Sequence, residues 1–327
     1  MIASEIRTGF SSDYHRTAVR AADARPPDAE RSSNETWQDA AMGIMNGKTV
    51  VITGANAGIG KEAAVALANL GANVVMACRN PERASAAKAE IEKRSGRSVE
   101  GISIDLANFD SIKNAADQIA ERYGRLDVLL NNAGLIVGKR STTPQGHEMI
   151  FGVNHLGPFL LTNLLMDLLR SSGAARVVNV ASGAHSFARK GLPFDDLQNE
   201  GSKFRPMSVY AESKLANILF TKELARKLSD SGVTANCLHP GFVGSHFARD
   251  GDVGKIGDVT MVIARPFAIS PTKGARTSVF LAADPSIAGT TGEYFYKCKP
   301  HSVSKWASDD AAARRLWDTS EHLCGLS

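Results

Sequence analysis

No stretch of this chain reaches the ~18 consecutive apolar residues that span a bilayer, and its N-terminus holds no apolar signal core. A membrane-crossing segment is therefore not expected. Cysteines are few: Cys78, Cys237, Cys298 and Cys324 stand far apart, with no C-x-x-C pair. That spacing argues against a zinc site or a disulfide framework, and no metal is expected. It points to a reducing compartment, and the expected location is cytoplasmic. Strong charge is lacking too. The net charge is +4 over 327 residues, and no arginine-rich block alternates with aromatics, so a nucleic-acid partner is not expected. Residues 1–45 are rich in Ala, Arg, Asp, Ser and Pro and contain "ARPPDAERSSNE". They read as a disordered polar leader, and the acids Glu5, Asp13, Asp23, Asp28 and Glu30 argue against a transit peptide.

From residue 46 onward a regular alternation is present. Short β-branched runs at 48–53, 73–78, 99–105, 126–131, 175–181, 234–239 and 292–296 read as strands. Helical stretches fill the gaps, beginning with an alanine-rich one from Gly58 to Leu70 and a charged one over 81–94; the longest lie near 146–171 and 208–230. Strands alternating with helices predict an α/β fold, a Rossmann-type doubly wound parallel sheet of about seven strands with helices on both faces. No internal repeat and no linker interrupts 46–327, so one catalytic domain is expected. Ligands of such sheets lie beyond the carboxyl ends of the strands.

The first predicted strand runs into "TGANAGIG" at 53–60. Gly54, Gly58 and Gly60 let the chain turn sharply, approach a pyrophosphate with bare backbone and pack a helix closely on the sheet. The helix that follows presents its N-terminus to the phosphates. Gly54, Asn56, Gly58, Ile59 and Gly60 are thus cofactor-binding candidates. The second strand ends in "ACRN". An NAD site generally places an acid here for the ribose 2′-hydroxyl, whereas Arg79 suits a 2′-phosphate and favours NADP(H) over NAD(H). Asp105 ends the third strand and Leu106 follows it; both are further cofactor-binding candidates. Asp105 either meets the adenine edge or caps the next helix.

In "VYAESKLANIL" at 209–219, Tyr210 and Lys214 stand four apart and share one helix face. Alone, that spacing recurs in many helices. Beside a dinucleotide loop it acquires a chemical reason, because an ammonium near a phenol favours the phenolate and lowers its pKa.

With "TGANAGIG", "NNAG" (131–134), "VNHLGPF" (153–159), "VVNVAS" (177–182), "YAESK" (210–214) and "HPGFV" (239–243) in this order, the chain resembles a short-chain dehydrogenase/reductase over 46–327. It is most similar to the retinol dehydrogenase-like branch in "FGVNHLGPFLLTNLL", "YAESKLANILFTKELARKL" and "GEYFYKCKP". The resemblance implies hydride transfer between NADP(H) and a small lipophilic alcohol, aldehyde or ketone. It implies Tyr210 as general acid and base, Lys214 as its tuning partner and holder of the nicotinamide ribose, Ser182 on the substrate oxygen, and Asn154 positioning a relay water. Asn132, Ala133 and Gly134 would lie along the cofactor, and Val243 and Ser245 near the nicotinamide carboxamide. Protochlorophyllide reductases share several of these features, and a non-catalytic NADP-binding scaffold is a further alternative.

Residues 242–269 hold many apolar side chains, among them Phe242, Phe247, Met261 and Phe267. They cover a substrate pocket, pack on the core or meet a second subunit of a homo-oligomer. Arg249, Lys255 and Arg265 between them also suit contact with a membrane surface.

Overall fold

A computed structural model of the protein describes residues 43–201, 203–241 and 269–326. The described residues belong to the compact unit Ala41–Ser327. They form eight strands, β1 (Thr49–Thr53), β2 (Asn73–Cys78), β3 (Glu100–Ser103), β4 (Val128–Asn131), β5 (Arg176–Val180), β6 (Thr234–Leu238), β7 (Tyr294–Tyr296) and β8 (Lys299–Pro300). The sheet order is β3-β2-β1-β4-β5-β6-β7-β8. Every neighbouring pair is parallel except β7 and β8. The order reverses between β1 and β4, which creates a crevice at their carboxyl ends.

β1 and β4 are buried at every position, as expected for parallel strands covered on both faces. Between them run α1 (Gly58–Asn69), α2 (Pro81–Ser95) and α3 (Phe109–Arg122). After β4 come α4 (Met149–Phe151), a π-turn (Gly152–Leu156), α5 (Gly157–Leu164) and α6 (Met166–Ser171). The chain continues through α7 (Pro206–Lys227), α8 (Pro271–Ala283) and α9 (Asp310–Cys324). Phe159, Phe220 and Trp317 from α5, α7 and α9 meet at ring-centroid distances of 4.9–5.9 Å, forming the aromatic centre of the core.

The structure bears out the doubly wound parallel sheet and adjusts the sequence expectations in four places. To the expected sheet of about seven strands it adds a short antiparallel eighth. The stretch 146–171 is not one helix: at the π-turn the Gly157 N–H donates five residues back to the Gly152 carbonyl, and a second break falls at Leu165. β3 ends at Ser103, so Asp105 lies beyond the strand. Its carboxylate accepts the Ala107 N–H at 3.0 Å, while Asn108 caps α3. Gly43–Met45 sit with the folded unit rather than the leader: Met45 is buried, and its N–H donates to the Leu70 carbonyl at 3.0 Å. Residues 1–42, the rest of the predicted leader, lie outside the described residues, as do 242–268 with Val243 and Ser245.

Candidate active site

The glycine loop joins β1 to α1. Gly54 and Gly58 adopt left-handed φ values of +68° and +53°, a region that glycine enters without a Cβ penalty. Gly60 is required by proximity: a Cβ there would lie 2.4 Å from the Gly54 carbonyl oxygen and 2.5 Å from Asn132 Nδ2. Asn56 and Ile59 are half-buried in the same loop. No side chain caps the N-terminus of α1, which leaves its first N–H groups to an anionic ligand. Beneath the loop the Ala55 and Asn56 N–H groups point at the Cys78 sulfur, whose thiol burial pushes up to about 11.

Thr53, which the sequence reading passed over, ties the loop to β4. Its hydroxyl oxygen accepts the N–H groups of Asn132 and Ala133, each at 3.0 Å, and its carbonyl accepts from Asn132 Nδ2 at 2.9 Å. Asn132 thus joins the ends of β1 and β4. Arg79 is exposed just past β2, next to Asn80, the side-chain cap of α2. Leu106 is buried, its carbonyl against Gly157 at the start of α5.

The four residues singled out around the reactive position meet where β4 and β5 end. Asn154 sits in the π-turn, fully buried. Its side chain accepts from the Leu135 N–H at 2.7 Å and donates to the Leu135 carbonyl at 2.9 Å and to Ser213 Oγ at 3.0 Å. π-turns inside helices recur at functional sites. Lys214 Nζ donates to the Val180 carbonyl at 3.0 Å. A Cβ on Gly134 would come within 3.2 Å of both Asn154 Oδ1 and Lys214 Nζ, so the bare glycine separates the two. Ser182 follows β5 and caps the 3₁₀ turn Gly183–Phe187, its Oγ accepting the Ala184 N–H at 3.1 Å. The Tyr210 hydroxyl is hydrogen-bonded to Ser182, and Lys214 Nζ lies 5.6 Å from the Tyr210 ring centroid.

Burial, which spacing does not report, acts on both Tyr210 and Lys214. Burial pushes Tyr210 up to about 12, and the Ser182 hydrogen bond offsets only part of this. The amine is itself buried and pushed down to about 8. It lies over the ring and is engaged by Val180. Desolvation opposes charge on both groups.

A buried polar ladder supports this corner and has no helical or strand periodicity to announce it. Asn131 Nδ2 donates to Thr162 Oγ1 at 3.0 Å and to Asn179 Oδ1 at 2.9 Å, and Asn179 Nδ2 donates to Thr221 Oγ1 at 2.9 Å. It fixes α5 and α7, the helices flanking the site, to β4 and β5. The available signal was the asparagine that closes "LLN" and recurs in "VVN". Among the described residues, no group of three or more His, Cys, Asp or Glu could hold a metal ion, and no helix is long and apolar enough to cross a membrane.

The sequence profile of the short chain dehydrogenase family matches residues 48–194. Human retinol dehydrogenase 14 is 41% identical over 299 residues, which covers 87% of this chain and 88% of the relative. A crystal structure of a Mycobacterium paratuberculosis protein superimposes with a TM-score of 0.70 at 32% identity, covering 88% of this chain and 96% of that one. A Shigella flexneri short chain dehydrogenase complexed with NADP gives a TM-score of 0.62 at 25% identity, covering 78% and 98%. The chain belongs to the short-chain dehydrogenase/reductase family, in its retinol dehydrogenase-like branch, and is an oxidoreductase of the kind that acts on CH–OH groups with a nicotinamide cofactor.

Proposed function

We propose that this protein is an NADP(H)-dependent oxidoreductase that interconverts a lipophilic alcohol and its aldehyde or ketone, within one catalytic domain over 46–327. The observation that carries the reading is the convergence of Tyr210, Ser182, Lys214 and Asn154 beside the glycine loop. The loop fits a dinucleotide: Gly60 leaves room for nothing larger, and the uncapped start of α1 offers donors to phosphate. Gly54, Asn56, Gly58, Ile59 and Gly60 would hold the pyrophosphate side. Asp105, Leu106 and Asn132–Gly134 would line the adenosine side, and Tyr210, Lys214, Val243 and Ser245 the nicotinamide side. Arg79 supports NADP(H) as the cofactor, since its guanidinium is exposed where an NAD site would carry an acid. The Shigella flexneri relative complexed with NADP supports the same choice.

When bound, the nicotinamide gives or takes the hydride. The protein's own residues manage the proton. The Tyr210 hydroxyl, held neutral by burial, donates its proton to the carbonyl oxygen during reduction. Ser182 Oγ accepts the Ala184 N–H and bonds Tyr210 in the free protein; with substrate bound, its O–H would turn to the substrate oxygen and stabilise charge there. Lys214 uses one of three N–H donors on Val180 and has the others for the ribose. Asn154, locked by its hydrogen bonds to Leu135 and Ser213, holds the relay to Lys214. Ile136, Ile150 and Val209, with Leu135, Val137, Phe204 and the Tyr210 ring packed on them, form an apolar cluster beside the phenol. This supports a lipophilic substrate of the kind named by the retinol dehydrogenase relatives. Segment 242–268 would cover that substrate, and a cytoplasmic or membrane-peripheral location belongs to the same reading.

A panel of retinoid, fatty and aromatic aldehydes, assayed with NADPH and with NADH by loss of reduced-nicotinamide absorbance, tests the proposal. Turnover is expected with NADPH, fastest on long apolar aldehydes. NADPH binding without turnover of any member would instead favour a non-catalytic scaffold.

A further inference from the structure

His185 stands between Ser182 and the C-terminal segment, and the mechanism above gives it no part. Its ring is 3% exposed and uses both nitrogens. Nδ1 lies 2.8 Å from the Ser182 carbonyl oxygen. A carbonyl only accepts, so Nδ1 carries the proton. Nε2 lies 3.3 Å from the Ser304 backbone nitrogen. An N–H only donates, so Nε2 presents its lone pair. The two partners select a single neutral tautomer. Tyr294 packs edge-on against the ring at 5.2 Å between centroids and limits its rotation.

The His185 backbone N–H donates to the same Ser182 carbonyl at 3.2 Å, so backbone and side chain of one residue both grip that oxygen. The turn they close is the one in which the Ala184 N–H reaches Ser182 Oγ. The direction of the Ser182 hydroxyl toward Tyr210 therefore depends on how this turn is held. Ser304 lies past β8, far along the chain from the family profile that ends at residue 194.

We infer that His185 is a positioning residue: its Nδ1–H fixes the turn that aims Ser182 Oγ at the Tyr210 hydroxyl, and its Nε2 moors that turn to Ser304. The inference rests on the proposed roles of Ser182 and Tyr210. The two hydrogen bonds can be separated by substitution. His185→Asn keeps an N–H donor at the Nδ1 position and has nothing at Nε2. His185→Gln reaches toward Ser304 and has nothing at Nδ1. His185→Ala has neither.

The test measures kcat and KM with NADPH and retinaldehyde, and NADPH affinity by titration, for these variants and for Ser182→Ala. His185→Ala and His185→Gln are expected to lose at least about tenfold in kcat, as small misplacements of a reacting group do. NADPH affinity should hold, and His185→Asn should recover most of kcat. A purely structural ring would make the Asn and Gln variants fall together, and that result overturns the inference. Lost kcat in Ser182→Ala with unchanged kcat in His185→Ala sinks this inference alone, whereas unchanged kcat in Ser182→Ala sinks the reading of the site beneath it. Nitrogen-15 NMR of the wild-type histidine side chains gives a readout independent of turnover: Nδ1 should be protonated and Nε2 not, and the opposite tautomer refutes the assignment.

Discussion

Replacing Gly60 by alanine tests the glycine loop through a contact the structure defines closely. The added methyl carbon would sit 2.4 Å from the Gly54 carbonyl oxygen and 2.5 Å from Asn132 Nδ2. Favourable non-bonded separations are roughly 3.5 Å or more, so the overlap is on the order of 1 Å. Neither neighbour is a flexible end. Gly54 is in the left-handed region and donates to the Ala77 carbonyl at 2.9 Å. Asn132 Nδ2 is committed to the Thr53 carbonyl at 2.9 Å. The backbone must therefore move, which by analogy with overpacked cores costs about 1–3 kcal/mol. For a protein of this size that lowers Tm by about 2–10 °C. The displaced loop should also weaken NADPH binding at least about tenfold, followed by nicotinamide fluorescence. Gly101→Ala is the control, because nothing lies within 4 Å of its added methyl; its stability should stay within about 0.5 kcal/mol of wild type. A Gly60→Ala protein with unchanged Tm and NADPH affinity would refute the argument.

Two further perturbations probe the charges. Arg79→Asp removes a cation and supplies an acid at the end of β2, so the ratio of kcat/KM with NADPH to that with NADH should fall by at least about tenfold; an unchanged ratio would remove the 2′-phosphate contact from the account. For Lys214, burial lowers the folded-state pKa to about 8 from 10.5. Between those values the unfolded chain binds more protons, so stability rises with pH. From pH 8 to pH 10 this group should add about 2 kcal/mol in denaturant titrations. Lys214→Met should lack this rise, so the stability difference, wild type minus variant, should grow by that amount from pH 8 to pH 10; equal slopes in both proteins would show the amine to be solvated.

The sheet was legible because fully buried β-branched runs such as "TVVIT" admit few alternatives to a covered parallel strand. The eighth strand was not. It is reached through Lys297 and Cys298 at φ of +50° and +59°, where tight hairpins ordinarily carry Asn-Gly or Asp-Gly, so no turn signal marked it. The stretch 146–171 carries apolar residues at helical spacing along its length, and that periodicity conceals the π-turn that places Asn154. Spacing alone placed Tyr210 beside Lys214 on one helix, and they are neighbours. Spacing does not report burial, which pushes the phenol up and the amine down. Thr53 and His185 escaped for a related reason. Each acts through backbone groups, the first across the sheet and the second across a turn to Ser304.

The most direct test of the central claim, that the Tyr210 hydroxyl moves the proton, is steady-state turnover of Tyr210→Phe measured together with its NADPH affinity. The ring and its packing remain, and only the hydroxyl is lost. The account predicts a fall in kcat of about 10²–10⁴-fold with NADPH affinity unchanged; turnover at the wild-type rate would contradict it.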